Sequence, residues 1–153
     1  MELQQKENEI AFFRKENEEL KQYILQIECK LLNDVSHLER FVFLKTDSYH
    51  LIEKKCMTKG KWLDMDERKK LDVEVHDVFK RLIRTVKKSC PALTNDDILF
   101  CCLKRAGLDN MVAGRCIGSG SRQSINQRKY RIKKKMTEAK CNYLFDMIFL
   151  PET

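Results

Sequence analysis

The chain has 153 residues, 35% of them charged and 42% hydrophobic, with 2 Pro, 5 Gly and a net charge of +7. That length suits one domain, or a small domain plus an extension, and so little Pro and Gly at so high a charge favours a soluble, all-α chain over a β-rich or disordered one. No apolar run approaches the roughly 18 residues a membrane span needs, and the acidic start MELQQKENE is unlike a signal peptide, so a cytoplasmic protein with no membrane segment within this chain is expected.

From Leu3 a seven-residue step lands on Leu3, Ile10, Asn17, Ile24, Leu31 and Leu38, and the matching second positions are Lys6, Phe13, Leu20, Ile27, Asp34 and Phe41. These are the a and d positions of a coiled coil, well formed from Ile10 to Leu31. Residues 1–45 are therefore expected to be a dimerisation helix, with Ile10, Phe13, Asn17, Leu20, Ile24, Ile27 and Leu31 in the seam. A polar Asn at one a position fixes the register of a two-stranded parallel pair, because it is satisfied only by its counterpart. The same parallel pairing sets Glu9 against Arg14 and Glu16 against Lys21. A helix already in heptad phase at Leu3 suggests a piece of a longer protein. The stretch DVSHLER at 34–40 resembles the phospho-accepting histidine region of sensor kinases, but no ATP-binding segment follows, and His37 reads as a solvated helix-surface residue.

The heptads break over residues 46–61, where TDSYH and MTKGK mark turns around a short helix. Asp64 followed by Glu67 has the spacing of a capping box. After it, Leu71, Val75, Val78, Phe79, Leu82, Ile83 and Val86 recur at helical spacing, which predicts one helix ending at Cys90-Pro91. Trp62 and Leu63 precede that helix and pin it to the core. Residues 46–90 are thus read as connecting helices.

The last region, 91–150, holds three short helical segments separated by tight turns. Thr94 can cap a helix through Ile98, Leu99, Cys102 and Leu103 that stops at Gly107. A second helix runs from Asp109 to about Cys116 and stops at the GSGS of 118–121, and a third starts near Ser121 or Arg122 and reaches Met136. Such an order is the outline of a helix-turn-helix, whose last helix enters the major groove of DNA.

The order P-x-L-T-x-x-[DE]-x-x-x-C-x-L…G…S-x…[KR]-Y-R-[IL]-[KR]-K-K resembles the terminal helix-turn-helix of LuxR-type regulators. It is closest to a bacterial subfamily in which a tetratricopeptide-repeat sensor, a transmembrane helix and a coiled-coil linker precede that domain. The resemblance rests on Pro91, Leu93, Thr94, Asp97, Cys101, Leu103, Gly107, Ser124, Ile125, Tyr130, Arg131 and Ile132, covering residues 91–136. It implies a DNA-binding transcription regulator, with RNA polymerase as a further partner. Two features depart from the family pattern. Its Ile-Ala pair falls on Ala113 and Gly114, and the connector to the third helix is one residue longer and contains Gly118 and Gly120. A glycine inside a short helix costs roughly 0.5–1 kcal/mol, so a loose or reshaped turn is expected here.

The third helix concentrates the charge. Residues 122–140 hold eight Lys/Arg and one acid, a balance of +7 that equals the whole chain's, and the remainder carries 22 basic and 22 acidic residues. With Ile125, Ile132 and Met136 on a buried face, helical geometry puts Gln123, Gln127, Tyr130, Arg131 and Lys134 on the opposite one. Gln can pair with adenine and Arg with guanine, Tyr can touch phosphate or a thymine methyl, and Lys129, Lys133 and Lys135 flank that face at phosphate reach. The candidate DNA contacts are Arg122, Gln123, Ser124, Asn126, Gln127, Arg128, Tyr130, Arg131, Lys133 and Lys134.

Cys29, Cys56, Cys90, Cys101, Cys102, Cys116 and Cys141 form no C-x-x-C pair, and His37, His50 and His76 do not sit near them at ligand spacings. Neither metal nor cofactor is expected, and reduced thiols in a reducing compartment are. No nucleophile with a base, paired carboxylates or phosphate-binding glycine loop is visible, so an enzyme is not expected. The leading expectation is a dimeric DNA-binding transcription regulator, or the output portion of a longer one. The alternative is a coiled-coil scaffold or signalling linker whose basic end meets an acidic protein or RNA without reading sequence.

Overall fold

A computed structural model describes residues 2–150. All its regular elements are helical. The first, α1, runs from Glu2 to Phe43. A short α2 (Asp47–Leu51), capped by the Thr46 side chain, continues directly into a π-helical turn, Ile52–Thr58. There follow α3 (Met65–Val78), α4 (Lys80–Ser89), α5 (Asn95–Arg105), α6 (Asn110–Ile117), α7 (Arg122–Glu138) and α8 (Asn142–Phe149). The chain divides into two compact units, the first ending at Leu32 and the second beginning at Asn33.

The first unit is the N-terminal part of α1. Its heptad residues Leu3, Ile10, Phe13, Leu20, Ile24, Ile27 and Leu31 are all exposed, as are Phe12, Tyr23 and Leu25 outside the seam. A single helix cannot cover its own apolar stripe, so the stripe is uncovered within one chain. Lys21, assigned above to an interchain partner, pairs with Glu18 one turn earlier at 3.7 Å.

The second unit holds the core. Phe43 at the end of α1 is fully buried, its ring 5.6 Å from that of the equally buried Phe79. Ile52, Cys56, Leu71, Val75, Leu82 and Val86 extend this core, and Phe100, Leu103, Ile125, Ile132, Met136, Leu144 and Ile148 complete it. The C-terminal turns of α1 are tied in by Arg105. Its guanidinium is buried and donates through Nε to Ser36 Oγ (2.8 Å) and through Nη2 to Asn33 O (3.0 Å) and Oδ1 (3.1 Å). Burial among neutral acceptors, and then the nearby Arg40 charge, pull the Arg105 pKa below its ordinary value. His37 stands exposed on this helix, edge-on to Phe41 at 4.9 Å.

The capping box at Asp64 and Glu67 is present and starts α3. The single helix expected from there to Cys90 is instead two, broken at Phe79, whose backbone (φ −91°, ψ 38°) leaves the helical range. The break deprives Arg81 and Leu82 of intrahelical acceptors, and an unmet buried N–H costs about 1–3 kcal/mol. Glu39 of α1 accepts from both, at 3.1 and 3.3 Å. A carboxylate from 42 residues upstream therefore caps α4, while Phe79 turns into the core. The hydrophobic period of residues 71–86 continues through the break, which is why it is invisible in the sequence. Helix α8 was not foreseen either, although Leu144, Phe145, Ile148 and Phe149 recur at helical spacing; these four are buried, and α8 packs against α5 and α7.

Candidate nucleic-acid interface

The three helices α5, α6 and α7 each begin at a polar cap. Thr94 and Asp97 form a reciprocal capping box at the start of α5, Asp109 accepts from Val112 N (2.8 Å) at α6, and Ser121 and Ser124 cap α7. These side chains meet donors a helix start leaves orphaned. The α5 and α6 termini lie within a residue of those expected. Helix α7 runs two residues beyond Met136.

The α6–α7 turn is tight, and this corrects the expectation of looseness. Gly118 ends α6 in the left-handed conformation (φ 78°), Ser119 N donates to Gly114 O (2.9 Å), and Ser119 Oγ meets Ser124 Oγ at 3.1 Å. The glycine that a short helix should resent is needed for packing. A Cβ at Gly114 would stand 2.6 Å from Ile125 Cδ1 and 2.9 Å from Ser119 O. Gly114 thus lets α7 seat its first buried residue directly against the α6 backbone. From outside, Trp62 lies over Gly120 and the Arg68 guanidinium lies against Gly118. Of the two residues expected to pin α3 to the core, Leu63 is buried, whereas Trp62 is 46% exposed and braces this turn.

Asp97 couples α5 to α7. Besides closing its capping box it accepts from Arg128 Nη1 (2.8 Å) and Lys135 Nζ (3.2 Å), with its side chain only 4% exposed. Burial by itself would raise the carboxyl pKa, but the Thr94 N–H, the Lys135 ammonium and the Thr94 hydroxyl outweigh it and hold the pKa below its ordinary value. Asp97 is therefore a carboxylate at neutral pH.

These contacts divide the cations of α7. Arg128 and Lys135 turn to Asp97. Lys129 Nζ lies 5.7 Å from the Phe149 ring centre, and Lys133 Nζ 5.6 Å from that of Phe145. Ser124 is occupied in the turn and cap. Of the candidate contacts, Arg128, Lys133 and Ser124 are thus engaged within the fold. The other seven, Arg122, Gln123, Asn126, Gln127, Tyr130, Arg131 and Lys134, are exposed. None of these seven has a hydrogen-bond or ion-pair partner among the described residues. All but Lys134 line one open concavity along α7, opposite the fully buried Ile125, Ile132 and Met136. The clamp role of Asp97 was not foreseen. Its signal is the spacing of Arg128 and Lys135, seven apart on one side of a helix.

Among the described residues no group of three or more His, Cys, Asp or Glu is placed to hold a metal ion, and no helix is long and apolar enough to cross a membrane. Cys56, Cys90, Cys101, Cys102, Cys116 and Cys141 are buried, unbridged thiols, and Cys29 is half-buried. Burial pushes the Cys101 and Cys102 thiols far up and that of Cys141 to about 11, which favours the neutral thiol in all three at physiological pH. No family model, curated protein or solved structure matches this chain.

Proposed function

We propose that the protein is a dimeric, sequence-reading DNA-binding transcription regulator of the LuxR type, without enzymatic activity, acting in the cytoplasm and with RNA polymerase as a further partner. In this reading α5, α6 and α7 form a helix-turn-helix and α7 enters the major groove. The observation that carries it is the division of α7. One face is locked into the core through Ile125, Ile132, Met136 and the Asp97 contacts. The other presents two Gln, an Asn, a Tyr and two Arg along one concavity, their side chains without a hydrogen-bond or ion-pair partner among the described residues. A merely solubilising surface needs charge alone, whereas amide and guanidinium groups on one rigid face have the donor and acceptor geometry that base edges require. Lys134 beside them is suited to phosphate.

A second copy of the chain is the partner that fits the first unit. The exposed apolar residues recur at heptad spacing, Asn17 occupies one a position, and Glu9 with Arg14 and Glu16 with Lys21 are opposite in sign in a parallel pair. Two DNA-binding units would then occupy half-sites one helical turn apart or a multiple, near 34 Å. The test is selection of duplexes from a random pool by the full chain. The expected result is an enriched motif in two half-sites at that spacing, bound by a species that sediments as a dimer at micromolar concentration. An unenriched pool would overturn the sequence-reading claim, and a monomer the dimer.

A further inference from the structure

We propose that the basic loop Lys59-Gly60-Lys61, held beside the α6–α7 turn, is a second DNA contact that takes backbone phosphates next to the groove entered by α7. The inference rests on the reading of α7 as a duplex-binding helix and adds a contact from a different part of the chain.

Residues 54–61 read KKCMTKGK, four lysines without an acid. Lys55 is taken up by Glu67. Lys59 and Lys61 are exposed and have no ion-pair partner among the described residues. Gly60 between them has φ +63°, a conformation that lets the chain reverse there and that other residues rarely adopt.

This loop is tied to α6 and, through Trp62, to the turn that launches α7. Lys61 N donates to Lys55 O (3.0 Å), Leu63 N to Arg115 O of α6 (3.3 Å), and Arg115 Nη1 back to Cys56 O (2.8 Å). Trp62, next to Lys61, covers Gly120 so closely that an added Cβ there would stand 2.5 Å from the indole ring. Gly120 is two residues from Arg122, at most about 7.6 Å between their Cα atoms. Two lysines are thus carried on a backbone tied to the turn before the proposed recognition helix, and neither ammonium has an ion-pair partner among the described residues. Compact ammonium charges on a rigid turn suit phosphate oxygens, and contacts of that kind set a helix's register on the duplex without reading bases.

The experiment compares wild type, the double variant Lys59→Ala/Lys61→Ala and Gln127→Ala, all as full chains, on the selected duplex and on a random duplex across a range of salt. Both lysines are exposed, so the double variant should melt with the wild type. It should bind both duplexes roughly 10- to 30-fold more weakly at 0.15 M salt, with the salt slope lowered by nearly two units and sequence preference intact. Gln127→Ala should relax preference and leave the slope unchanged. If the double variant keeps its affinity and slope while Gln127→Ala still relaxes preference, the loop contact is wrong and the α7 reading stands. A lowered slope with a silent Gln127→Ala keeps the loop and removes base reading by Gln127. A wild type that binds no duplex at low salt overturns both.

Discussion

The two sides of α7 carry similar side chains in different employment. On the inner side Arg128 and Lys135 share Asp97, while Lys129 and Lys133 lie over Phe149 and Phe145. On the outer side Arg122, Arg131 and Lys134 are exposed together with Gln123, Asn126 and Gln127, and their side chains have no hydrogen-bond or ion-pair partner among the described residues. Half of the eight cations that make residues 122–140 so basic therefore serve the fold. A charge count does not reveal this, because what separates a structural cation from an available one is whether an acceptor or ring lies within reach.

The comparison breaks first at Asp97. Replacing it with Ala would leave Arg128 and Lys135 without their acceptor and Thr94 N without its cap. Removing one side of a buried ion pair costs about 3–5 kcal/mol, so urea unfolding should show a loss of that size. A loss below about 1 kcal/mol would mean that the inner cations do not depend on the carboxylate. The same contact predicts an acid limb. The Asp97 pKa is depressed in the folded state, so its contribution is complete above the ordinary value of 3.8 and is lost as the pH falls through the folded value. Unfolding measured between pH 5 and 2 should show stability declining across that window, with a smaller decline in Asp97→Asn.

Gly114→Ala tests the seat of the inner face, and here two effects of opposite sign compete. Helix propensity favours Ala by about 1 kcal/mol, whereas the new methyl would sit 2.6 Å from Ile125 Cδ1 and 2.9 Å from a backbone oxygen. Overpacking of that kind costs about 1–3 kcal/mol, and the backbone oxygen cannot swing away as a flexible side chain can. A net loss of about 1 kcal/mol is expected from denaturant midpoints. A gain would show that α6 and α7 are not in close contact.

The outer face should respond least in stability. Gln127→Ala and Arg131→Ala touch exposed side chains that have no hydrogen-bond or ion-pair partner among the described residues, so unfolding free energies should stay within about 0.5 kcal/mol of wild type. A larger loss in either would place that residue with the inner set.

Much of this division was legible in the sequence. The period of Ile125, Ile132 and Met136 identified the buried side of α7, and Thr94, Asp109 and Ser121 marked three helix starts, because caps and apolar spacing are local signals. The break at Phe79 was not legible, since the Glu39 carboxylate that permits it comes from another helix. Gly114 was misjudged for a related reason. Its helix-propensity cost is local and visible, while the Ile125 contact that requires a glycine is tertiary. For the candidate site, helical geometry separated the exposed positions from the buried ones, but the diversion of Arg128 and Lys135 to Asp97 depends on the tertiary fold that brings the start of α5 to α7. The basic loop at 59–61 escaped notice because charge summed over the rest of the chain cancels, although locally it does not.

The most direct measurement is the affinity ratio between a selected duplex and a random one, for wild type and for Arg131→Ala, by competition at one fixed salt concentration. The account predicts a wild-type ratio of at least about 10³. In Arg131→Ala that ratio should fall by roughly 10- to 100-fold, as expected for a lost base contact, with the random duplex little affected beyond one lost charge. A ratio near unity in the wild type, or an equal loss on both duplexes in the variant, would contradict the claim that the outer face of α7 reads sequence.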